Sequence, residues 1–123
     1  MDRRAGLAGL AGLIALGLAA CAPLPPPGPI PNVATIAGKW YGNIQFGRGS
    51  YEFFYLTINP DGALVAEWGP STRFGRLNLS EGRPRFSLYI WSGDLQYLEG
   101  DGRRLLVLKE DFDSFYAQVM PLP

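Results

Sequence analysis

From residue 38 onward, apolar and polar side chains alternate with a period of two rather than 3.6, the pattern of half-buried β-strands. Trp40, Gly42, Ile44 and Phe46 fall on one face, and Lys39, Tyr41, Asn43 and Gln45 on the other. Tyr51 to Ile58 is almost wholly aromatic and aliphatic. Leu64, Ala66 and Trp68 alternate with Ala63, Val65 and Glu67, and Gly75, Leu77 and Leu79 with Phe74, Arg76 and Asn78. Phe86, Leu88 and Ile90 alternate with Arg85, Ser87, Tyr89 and Trp91, which places Tyr89 and Trp91 together on one outer face. Shorter runs at 95–98, 105–109 and 115–120 follow. Between the runs stand Asn59-Pro60-Asp61-Gly62, Gly69-Pro70-Ser71, Glu81-Gly82-Arg83-Pro84, Ser92-Gly93-Asp94, Glu99-Gly100-Asp101-Gly102 and Asp111-Phe112-Asp113-Ser114. Proline presets φ and glycine accepts positive φ, so these read as turns, and Asp-Gly suits a primed hairpin turn. Eight short strands at roughly ten-residue spacing, with no helical segment, predict a small antiparallel up-and-down β-barrel over residues 38–121. Closing the sheet removes its edges.

The first 37 residues follow other rules. Arg3 and Arg4 precede residues 5–20, which are only Ala, Gly, Leu and Ile. A membrane span needs about 20 apolar residues, and four glycines weaken a lasting helix here. The layout is that of a removable secretory signal. Residues 22–37 hold six of the chain's 11 prolines. They predict an extended polyproline tether able to hold a domain several nanometres from a membrane at about 3.1 Å per residue. Proline-rich strands also dock in aromatic grooves, so a docking segment is the alternative.

Leu18-Ala19-Ala20-Cys21 resembles the lipobox of bacterial lipoproteins, set directly after a fitting leader. The resemblance implies cleavage between Ala20 and Cys21, diacylglycerol on the Cys21 thiol, and acylation of the freed amine. Two or three acyl chains anchor firmly. Cys21 is the chain's single cysteine, so no disulfide framework competes for it. Ala22 follows, and by the same resemblance the expected location is the periplasmic face of the outer membrane. Gly38-Lys39-Trp40 is similar to the Gly-x-Trp that opens the first strand of lipocalins and related calycin barrels, some of them protease inhibitors. It implies a lipocalin-like barrel with Trp40 closing one end. The arginine those families place near the last strand, packed on the Trp, has no match in Phe115 to Met120. Arg103 and Arg104 stand one hairpin too early.

The mature part carries nine Lys and Arg against ten Asp and Glu, a net of −1, with no block of either sign. Nucleic acid is therefore no expected partner. Histidine is absent, which removes Ser-His-Asp and Cys-His catalysis and the usual nitrogen ligands of zinc. The carboxylate pairs Asp111/Asp113 and Glu99/Asp101 read as turn residues, too few for a Ca²⁺ cage. No enzyme, cofactor or metal is expected. The aromatic content is the informative excess. With Trp40, Phe54, Leu56, Ile58, Trp68, Phe86 and Leu88 filling the interior, Phe53, Tyr55, Tyr89 and Trp91 are left outside as a candidate binding patch. Such patches mark interaction sites, and Tyr and Trp are favoured there. The expected function is a tethered protein-interaction or structural module, inhibitor-like by resemblance. Its partner is another envelope protein or the chain's own proline-rich linker. The alternative is a binder of a small apolar or aromatic ligand in the barrel mouth.

Overall fold

The computed structural model describes residues 24–80 and 83–123. The expected leader, the cleavage site at Ala20 and Cys21, and Glu81-Gly82 of one expected turn lie outside the described residues. The elements are β1 (Pro27–Gly28), a 3₁₀ turn (Val33–Thr35), β2 (Gly38–Phe46), β3 (Tyr51–Ile58), β4 (Ala63–Trp68), β5 (Ser71–Asn78), β6 (Arg85–Leu88), β7 (Trp91–Gly100), β8 (Arg103–Glu110) and β9 (Phe115–Pro121). From β2 onward each strand pairs antiparallel with the next. β9 then returns to β2, with Phe115 opposite Phe46 and Pro121 opposite Trp40. The sheet is a closed eight-stranded up-and-down barrel, as the alternation predicts.

The inward positions are the apolar ones. Ile44, Phe54, Leu56, Leu64, Leu88, Leu106 and Leu108 are all fully buried. Trp68 is half-buried and packs against them. At one end of the barrel Phe46 meets Trp68, Trp91 and Phe115 at ring separations of 5.5, 5.8 and 5.7 Å. Trp91 and Phe115 stand edge to face at 5.4 Å. Offset and edge contacts of this kind add to area burial. This ring cluster fills one mouth.

Two elements differ from the sequence expectation, and glycine is the reason. The strand expected to run through Trp91 stops at Leu88. Leu88 pairs with Trp91 across a two-residue turn, and Tyr89 takes a φ of +57°. Ser92-Gly93-Asp94, expected as a break, lies inside β7. A Cβ on Gly93 would meet the carbonyl oxygen of Lys109, with the Cα of Glu110 at 2.8 Å. Gly42 and Gly75 face the same obstacle from Gln118 and Ser87. These glycines are places where neighbouring backbones approach too closely for any side chain, as at the corners of a tight barrel. A glycine inside an apolar run carries the same letter whether it turns the chain or bends it.

The other end is closed by the segment before β2. Asn32 accepts from the Thr35 amide at 3.2 Å and starts the 3₁₀ turn. Ile36 then enters the core fully buried, and the Trp40 indole Nε1 donates to the Ile36 carbonyl at 2.9 Å. Arg104 completes the lid. Its guanidinium lies 5.2 Å from the Trp40 ring centroid, donates to the Thr35 carbonyl at 2.8 Å, and donates to the Tyr97 hydroxyl at 3.0 Å. The arginine that packs on Trp40 thus comes from β8 and not from the last strand. Closure of β9 onto β2 brings the start of β8 round to the Trp40 end, so one hairpin too early along the chain is near in space.

The proline-rich segment does not hang free over its described part. Pro25 is buried beside Gly100, and Pro27 and Gly28 pair with Leu98 and Tyr97. Strand β6 pairs with β7 only at Trp91 to Asp94. That leaves the rest of this β7 edge open, and β1 covers it. Proline lacks a donor, which suits it to an edge. The expectation of a spacer several nanometres long therefore fails from residue 25 on.

Arg104→Ala removes a cation–π contact and two charged hydrogen bonds at the lid. The expected loss is about 2 kcal/mol, a drop in melting temperature of about 10 °C for a domain of this size. Arg104→Lys recovers only part of it, because an ammonium cannot serve both acceptors in the plane of a fork. Thermal unfolding followed by circular dichroism reads both variants.

Candidate functional site

The outer face of a closed barrel is built by the residues that alternate with the core, and the register decides which of them become neighbours. On β2 these are Tyr41, Asn43 and Gln45. Across β3 they face Tyr55, Phe53 and Tyr51, and across β9 they face Met120, Gln118 and Tyr116. The result is a grid of three strands by three rows in which every side chain is aromatic, amide or thioether. None is charged. Strand spacing and rise make it about 10 Å by about 14 Å between Cα positions. Phe53 is 73% exposed and Tyr51 62%.

A groove of about 350 Å³ crosses this grid, lined among others by Tyr41, Asn43, Tyr51, Tyr116, Gln118 and Met120. Asn43 and Gln118 stand directly opposite one another on β2 and β9. Gln45 spends its amide on the Gly49 carbonyl at 2.8 Å. Among the described residues the side chains of Asn43 and Gln118 make no hydrogen bond. Each therefore keeps two donors and an acceptor for something else.

Charge begins at the border of the grid. Lys39 stands beyond Tyr41, Glu67 is paired with Tyr55, and Lys109 with Tyr116. Further round, an ionic cluster lies outside β6 and β7 and the turn after β8, while Phe74 stands exposed on β5 and Leu98, Leu105 and Val107 form a small apolar cluster on the outside of β7 and β8. Arg85 joins Asp94 at 3.1 Å and Asp111 at 2.6 Å, and Arg83 reaches Asp94 at 3.0 Å. The Arg83 and then the Arg85 hydrogen bonds hold the Asp94 carboxyl below the usual range, and Arg85 does the same for Asp111. These four charges satisfy one another, whereas the grid on β9, β2 and β3 holds no charge at all.

The candidate patch read from the sequence divides accordingly. Phe53 and Tyr55 are exposed and belong to the grid. Tyr89 is exposed but lies in the β6–β7 turn, with the Arg73 guanidinium 4.6 Å from its ring centroid. Trp91 is a correction: it opens β7 and packs on Phe46, Trp68 and Phe115 inside the mouth. A turn taken at Tyr89–Ile90 reverses the alternation assumed across it, which moves Trp91 from the outer to the inner face. Trp40 lies at the opposite end, under Arg104 and bonded to the Ile36 carbonyl. The proline-rich segment covers β7 and not these aromatics, so the grid is not its dock. Of the carboxylates read as turn residues, Asp101, Asp111 and Asp113 lie between strands, but Glu99 is a correction: it lies within β7, opposite Arg104. Asp111 serves Arg85, while Glu110 bends back to accept from the amides of Phe112 and Ser114 at 2.9 and 2.7 Å. Among the described residues no cluster of three potential metal ligands forms.

The sequence reading missed Tyr41, Asn43, Tyr51, Tyr116, Gln118 and Met120. Their signal was present as the outward half of each alternation, but only the pairing of the last strand with the first makes them one surface. Scans against family models, curated proteins and solved structures find no match for this chain.

Phe53→Ser and Tyr55→Ser are expected to change stability by less than about 0.5 kcal/mol each. Trp91→Ser is expected to cost about 3 kcal/mol or more, the scale for a large aromatic removed from a packed cluster. Urea unfolding at neutral pH separates the two groups. Because the folded-state values of Asp94 and Asp111 are depressed, their contribution is full above about pH 4 and is lost as pH falls below the ordinary Asp range. Arg85→Gln is therefore expected to be less stable than the parent above about pH 4. The gap closes in acid, and a gap that persists near about pH 2 contradicts the assignment.

Proposed function

We propose that this chain is a lipid-anchored envelope protein whose barrel serves as a binding module through its uncharged outer face. The observation that carries the binding role is the grid on β9, β2 and β3. Tyr, Phe and Met with an absence of charge is the composition of interface cores, and here nine uncharged outward positions adjoin on three neighbouring strands. The ring cluster stands in the mouth that a small ligand would have to enter, so the outer face is the better site. The anchor rests on Leu18-Ala19-Ala20-Cys21 and the leader before it. The barrel itself is lipocalin-like in this reading, on Gly38-Lys39-Trp40 and on Arg104 stacked over Trp40.

In the anchored form the leash is short. Pro25 lies on the barrel and Cys21 is four residues before it. A fully extended chain spans at most about 3.6 Å per residue, so the anchor lies within about 14 Å of the docked proline. The β7–β8 hairpin end then rides close to the bilayer, on the periplasmic face of the outer membrane.

Expression of the whole chain with its own leader in a bacterium with an outer membrane tests both parts. Mass analysis is expected to find a mature product that begins at Cys21 and carries diacylglycerol. A photoreactive residue in place of Phe53 is expected to give a discrete adduct in the envelope, and one in place of Arg76 on β5 is not. A free thiol on the mature chain removes the anchor. Equal labelling from both positions removes the binding face.

A further inference from the structure

We propose that the uncharged face takes an N-acetylated sugar chain, the glycan backbone of the cell wall, whose charges sit on its peptide stems and not on its sugar rings; this rests on the grid being the binding face of an envelope protein. The reasoning starts with area. A stable protein partner buries about 800 Å² on each side. The grid offers a strip about 10 Å by 14 Å before Lys39, Glu67 and Lys109 begin. A globular partner would have to cover those charges as well, whereas a linear ligand one sugar wide crosses the strip without covering its flanks.

The second step is charge. With no ionised group in the groove, nothing there selects an anion or a cation, and an uncharged polymer loses least on entering it. The third is the pairing of surfaces within the groove. A pyranose ring has a flat C–H face and a rim of hydroxyls, so it needs an aromatic plane with hydrogen-bonding groups beside it. Tyr41 and Tyr116 provide planes on either side of the central row, and their hydroxyls keep those planes wet at one end. Asn43 and Gln118 lie between them with amides that no other side chain uses. An acetamido group is itself an amide, with one N–H and one carbonyl. It meets a carboxamide donor to acceptor and acceptor to donor, while its methyl finds Met120.

The test uses the whole lipidated chain in detergent micelles, titrated with the tetramer of N-acetylglucosamine and, as a control, with a glucose tetramer. Saturable calorimetric binding of the acetylated sugar alone is expected. Asn43→Ala with Gln118→Ala is expected to weaken it about thirtyfold, the effect of two ordinary hydrogen bonds. Phe74→Ser, exposed on β5 away from the groove, is expected to leave it unchanged. Because both amides are free and at the surface, the double variant folds, and an unchanged melting temperature checks this. In the envelope, the adduct formed from position 53 is expected to disappear with muramidase digestion and to resist proteolysis as a second chain. Equal binding of the two tetramers, or equal binding by the double variant, overturns the proposal. An adduct with a protein overturns the glycan but leaves the binding face; absence of any adduct at position 53 overturns both.

Discussion

The pairing of β9 with β2 is the contact on which the rest of this molecule depends. It joins the ends of an 84-residue meander (residues 38–121) and leaves no barrel strand with an open edge along its full length, where an unpaired row of amides would invite aggregation. It also fixes a circumference. Eight strands enclose an interior just wide enough for side chains, and the inner alternation supplies Trp, Phe, Leu and Ile to fill it. Such closure demands corners, and the inward glycines at 42, 75 and 93 allow them, because at each of these a neighbouring backbone occupies the space of a side chain. The chain has no disulfide to share the task. A domain this small buries only about 60–70% of its unfolded surface, so the packing of rings at one end and the lid at the other have to be dense.

The lid shows how closure couples distant parts of the chain. Trp40 opens β2, Arg104 opens β8, and Thr35 and Ile36 belong to the segment before the barrel. Each would be a surface residue in an open sheet. Wrapped round, they form a stack in which the indole N–H, the guanidinium and the Tyr97 hydroxyl all find partners. Burying a polar group without a partner costs roughly 1–3 kcal/mol, so the lid is tolerable only because it is complete. The proline-rich stretch then seals the one length of β7 that β6 is too short to cover. The same prolines that forbid a central strand make a good terminal cover, since they bring few donors that need pairing.

Fold class and strand count were legible because period two survives any register, and the positions of Phe54, Leu56, Ile58, Phe86 and Leu88 followed from it. The Asp101-Gly102 turn was legible too: both residues take positive φ, 54° and 75°, as a primed turn requires. What the letters could not give was anything that depends on a phase or on a long-range contact. Tyr89 carries no turn signal. It holds a positive φ against its own preference, and Ser92-Gly93-Asp94 offered a more conventional turn four residues later. The misplaced turn cost Trp91 its face. Arg104 was seen but set aside as one hairpin too early, because adjacency across β8, β9 and β2 is invisible along the chain. The uncharged outer grid was half legible, through Phe53 and Tyr55. Its other two columns have ordinary outward residues, and they matter only beside one another.

A filled barrel leaves its outside for a binding role, and under the proposed function its outer residues have two conflicting duties. They would hold a partner and yet not draw other barrels together in its absence. Leu and Val in those positions would favour association with anything apolar. Tyr, Asn and Gln offer area or hydrogen bonds while remaining hydrated, so they release little free energy unless a ligand presents matching groups. The ionic border of Lys39, Glu67 and Lys109 sharpens this, because like faces that meet must also bring their charges into register. The same logic explains why Arg83, Arg85, Asp94 and Asp111 are tied up with one another. Charges already paired with each other steer little and attract little, whereas Asn43 and Gln118 in the uncharged strip keep their amide groups open.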